Sequence, residues 1–124
     1  MKSPMLGLRT AGYRVPDLEA AKEWYCKAFH VKPYFDEPYY VGFNIGGFEL
    51  GLNPDGYVPP KSDSNGVAYW GVEDIEKEYQ RLIELGASSK ESPQDVGGEI
   101  KVATVADPWG NLIGLIYNPH FSLD

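Results

Sequence analysis

Few side chains in this sequence are equipped for covalent or metal chemistry, and each stands apart from the others. The chain has one cysteine, Cys26, and two histidines, His30 and His120. Cys26 has no partner for an internal disulfide and falls within a helical pattern, where a small buried apolar role is the simplest reading. His30 closes that same pattern and His120 lies in the C-terminal tail, so both read most simply as surface residues. A zinc site needs about three protein ligands, and a non-heme iron site needs two histidines and a carboxylate. Two histidines are present in all, and neither lies in a segment that reads as a strand.

Other classes of partner are narrowed by charge. The 124 residues carry a net charge of −7 and a sequence pI of about 4.7. A chain this acidic is repelled by phosphate backbones, which disfavours nucleic acid. Neutral or cationic small organic molecules fit better. No apolar run approaches the ~20 residues of a membrane helix. With no signal peptide or anchor visible, the expected location is cytoplasmic.

The elements that must position any site follow from periodicity. Leu6 to Val15 reads as a strand. Asp17 then caps a helix whose buried face is Leu18, Ala21, Trp24, Tyr25 and Ala28, and Pro33 forbids its continuation. Tyr34-Phe35, Tyr39 to Ile45 and Phe48 to Asn53 read as strands, the last two joined by the tight turn Gly46-Gly47. The Pro- and Ser-rich stretch 55–64 reads as a linker. After it the order repeats. Gly66 to Val72 is a strand, and Asp74 caps a helix bearing Ile75, Tyr79, Leu82 and Ile83, which ends at Gly86. Ser88 to Pro93 is a short strand. Ile100 to Ala106 and Asn111 to Tyr117 are strands joined by the turn Asp107-Pro108-Trp109-Gly110. A faint repeat supports the duplication: Val15-Pro16-Asp17-Leu18-Glu19 against Val72-Glu73-Asp74-Ile75-Glu76.

Two segments resemble the vicinal-oxygen-chelate superfamily, which includes glyoxalase I, extradiol dioxygenases and bleomycin-resistance proteins. Val15-Pro16-Asp17-Leu18-Glu19-Ala20-Ala21-Lys22-Glu23-Trp24-Tyr25 is similar to that family's opening helix. Asp107-Pro108-Trp109-Gly110-Asn111-Leu112-Ile113-Gly114-Leu115-Ile116 is similar to its closing hairpin. The resemblance implies an α+β fold in one domain spanning 1–124. Two βαβββ modules, about 5–54 and 65–119, would form an open cup-shaped mixed sheet with helices outside, and modules often pair across a homodimer. It also implies four metal-ligand positions, which here read Thr10, Glu49, Val67 and Gly114. Only Glu49 is a competent ligand, so no metal and no other cofactor is expected.

Alternation along the strands then assigns faces within the implied cup. Leu8, Thr10, Gly12 and Arg14 face inward with Glu49, Gly51 and Asn53, while Leu50 and Leu52 face the helix. In the second module Val67, Tyr69, Gly71, Leu112, Gly114, Ile116 and Asn118 face inward, and Trp70 joins Trp24 and Tyr25 as core. The inward glycines Gly12, Gly51, Gly71 and Gly114 either leave room for a ligand or are pressed by helices or a partner subunit. A carboxylate in an apolar cup needs a partner or a proton. Arg14 could pair Glu49 as a structural ion pair, or Glu49 could receive a ligand's hydrogen or positive charge. As a general base Glu49 would need a raised pKa. Tyr40, Asn44, Asn53 and Tyr69 could add hydrogen bonds, and Trp109, expected to be exposed, could line the mouth. The ligand-binding candidates are thus Thr10, Arg14, Asn44, Glu49, Asn53, Tyr69 and Trp109, with Glu49 the one catalytic candidate. Three functions stay open: sequestration of a small organic molecule without metal; a lyase, isomerase or dioxygenase using Glu49 as base or nonstandard ligand; or a noncatalytic assembly domain.

Overall fold

The structure, a computed structural model, describes residues 3–57 and 66–121. The part of the expected linker from 58 onward lies outside the described residues. Two compact units emerge, Met1–Val58 and Pro59–Asp124. Each runs strand, helix, strand, strand, strand, in agreement with the expected βαβββ repeat.

In the first unit β1 (Thr10–Arg14), α1 (Leu18–Phe29), β2 (Phe35–Glu37), β3 (Tyr40–Ile45) and β4 (Phe48–Asn53) build a sheet of order β1-β4-β3-β2. β1 runs parallel to β4, and the other pairings are antiparallel. The helix starts where the sequence says it should. The Asp17 side chain accepts from Ala20 N, relieving one of the orphan N–H groups of the first turn. It ends at His30, which adopts a left-handed conformation (φ 52) and sends its N–H back to the Cys26 carbonyl. The 3.6-residue spacing places Ala21, Trp24, Tyr25 and Ala28 against the sheet, where Val41, Phe43, Leu50 and Leu52 are fully buried. Each such side chain contributes roughly 1.5–3 kcal/mol through burial. Both glycines of the β3–β4 turn have positive φ, Gly46 59 and Gly47 96, as a two-residue hairpin of this hand requires.

The second unit contains β5 (Tyr69–Gly71), α2 (Ile75–Glu84), β6 (Ser88–Gly97), β7 (Ile100–Ala106) and β8 (Leu112–Tyr117), in the order β5-β8-β7-β6. Asp74 caps α2 through Lys77 N. At the other end Gly86 (φ 114) turns the chain, and Ala87 N and Gly86 N bond back to the Leu82 and Ile83 carbonyls. Ile75 and Leu82 pack over Ala103, Val105, Ile113 and Leu115.

Several boundaries differ from the sequence reading. β6 continues past Pro93 to Gly97 rather than stopping there. It is the edge strand of its sheet, so a residue without an N–H is tolerated on its open side, and register shifts between Glu91 and Gln94 absorb the irregularity. β1 and β5 are shorter than expected. Trp70 and Trp109 are both half-buried, rather than core and exposed respectively. Among the described residues no helix is long and apolar enough to cross a membrane.

Candidate functional site

The face of the first sheet turned away from α1 is organised in rows by strand register. Thr10 of β1 and Asn44 of β3 both stand opposite Glu49 of β4. The next row is Gly12, Gly51 and Gly42, and beyond it Arg14 stands opposite Asn53. The alternate residues Tyr13, Leu50, Leu52, Val41 and Phe43 are buried beneath. One carboxylate therefore sits in a strand whose neighbours on the same face are small or polar.

Hydroxyl groups surround that carboxylate. The Thr10 hydroxyl donates to Glu49 Oε1 at 2.8 Å, and the Tyr34 phenol donates to Oε2 at 2.6 Å. The Tyr40 phenol stands close enough to add to the electrostatic stabilisation of the anion. Glycines make this convergence possible. A Cβ on Gly42 would stand 2.7 Å from Glu49 Oε2 and 2.9 Å from the Tyr34 ring, and a Cβ on Gly51 would overlap the Tyr40 hydroxyl. Tyr34 reaches the site because its N–H bonds to the Gly42 carbonyl at 2.9 Å, which fixes the chain just before β2.

The electrostatics follow from these contacts. Partial burial pushes the Glu49 carboxyl up, but the hydrogen bonds from Tyr34 and Thr10, with the nearby Tyr40 phenol, together outweigh it and hold the group below its ordinary value of 4.5. Burial, then the nearby Glu49 carboxylate, raises the Tyr40 phenol to about 12, and the bond to Glu49 raises Tyr34. At neutral pH the cluster is one fixed anion with three protonated hydroxyls. It accepts hydrogen bonds or positive charge, and none of its members is poised to exchange a proton near pH 7.

Three expectations are corrected here. Glu49 does not pair with Arg14: Thr10 is its neighbour in register, and Arg14 lies four residues along the strand, roughly 13 Å away at 3.3 Å per residue. The raised pKa that a general base would need is replaced by a lowered one. At Gly51 the space is filled by Tyr40 and at Gly114 by the Tyr69 ring and the Ala68 carbonyl, not by a helix, a partner or room for a ligand. Within its own unit, Gly12 has nothing within 4 Å of a Cβ position.

Thr10, Asn44 and Glu49, with Arg9, Tyr34, Gly47 and Phe48, line a depression of about 310 Å³. Asn53 stands apart and uses its side-chain oxygen to accept from Asp55 N. Tyr69 and Trp109 belong to the second unit. Tyr34 and Gly42 escaped the sequence reading. Gly42 alternates with Tyr40 and Asn44 and so shares their face, which was available from parity. Tyr34 lies outside the strand, and nothing in the local pattern announces its reach.

A larger depression of about 660 Å³ lies beside Pro16, Asp17, Glu19, Asp36 and Glu37. Three of its four carboxylates are already committed. Asp17 caps α1, and Glu19 and Asp36 both bond Lys22. Among the described residues no converging donors fix the remaining one, Glu37, whereas two hydroxyls orient Glu49, which makes the Glu49 depression the better candidate.

A metal of the kind used by the family that the sequence resembles does not fit these residues. Thr10 spends its hydroxyl hydrogen on Glu49, so of the four implied ligand positions only the Glu49 carboxylate has an oxygen suited to an ion, and one ligand does not hold it. Register sets Tyr69, not Val67, against Gly114. Among the described residues no three His, Cys, Asp or Glu side chains are grouped to hold an ion.

The lowered Glu49 pKa carries a stability consequence with a definite sign. A carboxyl whose folded pKa is depressed stabilises the protein above its unfolded pKa, and that contribution fades as pH falls through the folded value. The melting-temperature advantage of the wild type over Glu49→Gln should hold steady above about pH 5.5 and shrink below 4.5. An advantage that grows on acidification would mean that the carboxyl is protonated in the native state.

Comparison with known proteins agrees with this architecture. Residues 7–115 match the family profile of the Glyoxalase/Bleomycin resistance protein/Dioxygenase superfamily. The uncharacterized protein YurT of Bacillus subtilis (strain 168) is 35% identical over 77 residues, covering 56% of this chain and 60% of YurT. The chain thus matches less than two thirds of that relative's length. A glyoxalase-related enzyme from Fulvimarina pelagi superimposes with a TM-score of 0.77 at 20% identity, covering 97% of this chain and 94% of its own. The lactoylglutathione lyase from Agrobacterium tumefaciens does so with a TM-score of 0.75 at 18% identity, covering 96% and 100%. The bleomycin resistance determinant encoded on transposon Tn5 gives 0.70 at 18% identity, covering 91% and 98%. At these identities the likenesses to solved structures speak for fold alone, but the profile spans most of the sequence, and the chain belongs to the glyoxalase/bleomycin resistance protein/dioxygenase superfamily.

Proposed function

We propose that this protein binds a small organic molecule on the open face of its first sheet, without metal, and holds it rather than converting it. The observation that carries this reading is the Glu49 carboxylate, fixed as an anion by the hydroxyls of Thr10 and Tyr34. A preformed acceptor beside aromatic rings is how small-molecule sites obtain orientation, and about 310 Å³ lies at the lower end of their usual range. The same cage leaves the carboxylate a poor base, which supports sequestration over proton abstraction. The shared fold with a bleomycin resistance determinant is in keeping with that choice.

The test is a thermal-shift screen of small neutral and cationic organic compounds, followed by affinity measurement on Glu49→Gln. A ligand confined to the folded state raises the melting temperature by mass action. Glu49→Gln should weaken a hit by about tenfold or more, the scale of one charge-assisted hydrogen bond, with the fold retained at pH 7. Undiminished affinity per folded molecule would remove Glu49 from the site. A stoichiometric divalent ion retained through purification would overturn the metal-free reading.

A further inference from the structure

We infer that the Glu49 depression recognises a flat group carrying an N–H beside a carbonyl oxygen, the edge presented by a carboxamide or a lactam. This rests on the binding reading above and names the chemical class of its ligand. Asn44 and Glu49 are register partners across β3 and β4, so their side chains leave the same face about 5 Å apart. Both line the same depression. Their remaining hydrogen-bonding capacities are opposite in kind. The Asn44 side-chain oxygen accepts from Gly47 N at 2.8 Å, closing the Gly46-Gly47 turn. Because a backbone N–H faces that atom, it must be the oxygen, and what Asn44 has left to offer is its NH₂ group. Glu49 is ionised and offers only acceptors. Hydroxyl donors take one site on each oxygen, two of its roughly four lone-pair sites, leaving about two for a ligand.

One donor and one acceptor side by side match a group with the complementary pair. A carboxamide edge places its N–H toward Glu49 and its carbonyl toward Asn44. An amidinium satisfies Glu49 but sets a second N–H against the Asn44 NH₂, and a carboxylate satisfies Asn44 but faces Glu49 with like charge. Tyr34 and Phe48 line the same depression, and their rings suit an aryl substituent on that group.

Benzamide, benzamidine and benzoate separate these cases, since they share a shape and differ only in that edge. Each is titrated into the full-length ¹⁵N-labelled chain while the backbone amides of Thr10 and Glu49 and the Asn44 side-chain amide are followed by NMR. Benzamide should move these resonances to saturation and bind at least threefold more tightly than benzamidine, while benzoate leaves them in place. The comparison is stringent because a net charge of −7 favours the cation. Asn44→Asp keeps an oxygen for Gly47 N and replaces the donor by an acceptor. It should move the benzamide-to-benzamidine affinity ratio by about tenfold toward benzamidine, the scale of a single hydrogen bond. Three results overturn the inference: benzamidine binding more tightly than benzamide in the wild type, a ratio that Asn44→Asp leaves unchanged, or no movement of these resonances with any of the three probes. The first two would still leave Glu49 as a binding residue. The screen with Glu49→Gln judges the broader reading independently.

Discussion

Tyr25→Ala is expected to lower the free energy of unfolding by about 3–5 kcal/mol, the range found when a large buried aromatic side chain is truncated. Tyr25 is 0% exposed. Its ring stacks between Tyr13 at 5.8 Å and Phe29 at 5.9 Å and meets Trp24 edge-on at 4.9 Å. It therefore joins α1 to β1 and spans the helix from its middle to its last turn. Alanine would lose the transfer term and leave a void that three rigid rings cannot collapse to fill. Against a total stability of about 5–15 kcal/mol, this one change would bring the protein close to unfolding. Urea denaturation measures it through a fall in the midpoint at unchanged slope. A loss below about 1.5 kcal/mol would mean that Tyr25 is not at the centre of this core. Tyr25→Leu should fall in between, because leucine restores part of the volume.

Much of this was readable beforehand because the signals are local. Asp17 and Asp74 announce helix starts by offering a short acceptor to the orphan N–H groups of a first turn, and both do so in the structure. Gly46-Gly47 announces a turn because few residues accept positive φ twice in succession. The family resemblance placed Thr10 and Glu49 on one face, alternation extended that face to Gly12 and Gly51, and register sets Thr10 and Glu49 directly opposite each other. What stayed hidden depends on reach and on registration. The pairing of Arg14 with Glu49 was compatible with a shared face but not with four residues of separation along parallel strands. Tyr34 acts from outside a strand, through a phenol that crosses Gly42, and no short-range pattern encodes such a crossing. The sign of the Glu49 pKa shift depended on those same hidden hydroxyls. Without them, burial alone pointed the wrong way.

Asp107→Ala should cost about 2–4 kcal/mol, the second-largest loss expected, and it tests whether the closing turn is held by one side chain. Asp107 is 3% exposed, and its Oδ1 accepts from Trp109 N at 2.9 Å and from Asn111 N at 2.8 Å. Its Oδ2 accepts from the Asn111 side-chain amide at 3.0 Å. The backbone adds Asp107 N to the Asn111 carbonyl at 2.8 Å and Gly110 N to the Asp107 carbonyl at 3.0 Å. Alanine would strip the two N–H groups of their acceptor inside a half-buried turn, and each part-buried donor left unpaired costs about 1–3 kcal/mol. Since this turn sets the register of β8 against β7, the loss should spread into the sheet rather than stay at its tip. Hydrogen exchange at Ile113 and Leu115 is therefore expected to accelerate along with the fall in global stability. Asp107→Asn retains one oxygen for both N–H groups and should lose less than half as much. If alanine and asparagine cost the same, the carboxyl contact to the Asn111 amide matters more than the turn's own N–H groups. If neither costs more than about 0.5 kcal/mol, the scale of an ordinary surface change, the turn is held by Pro108 and Gly110 alone.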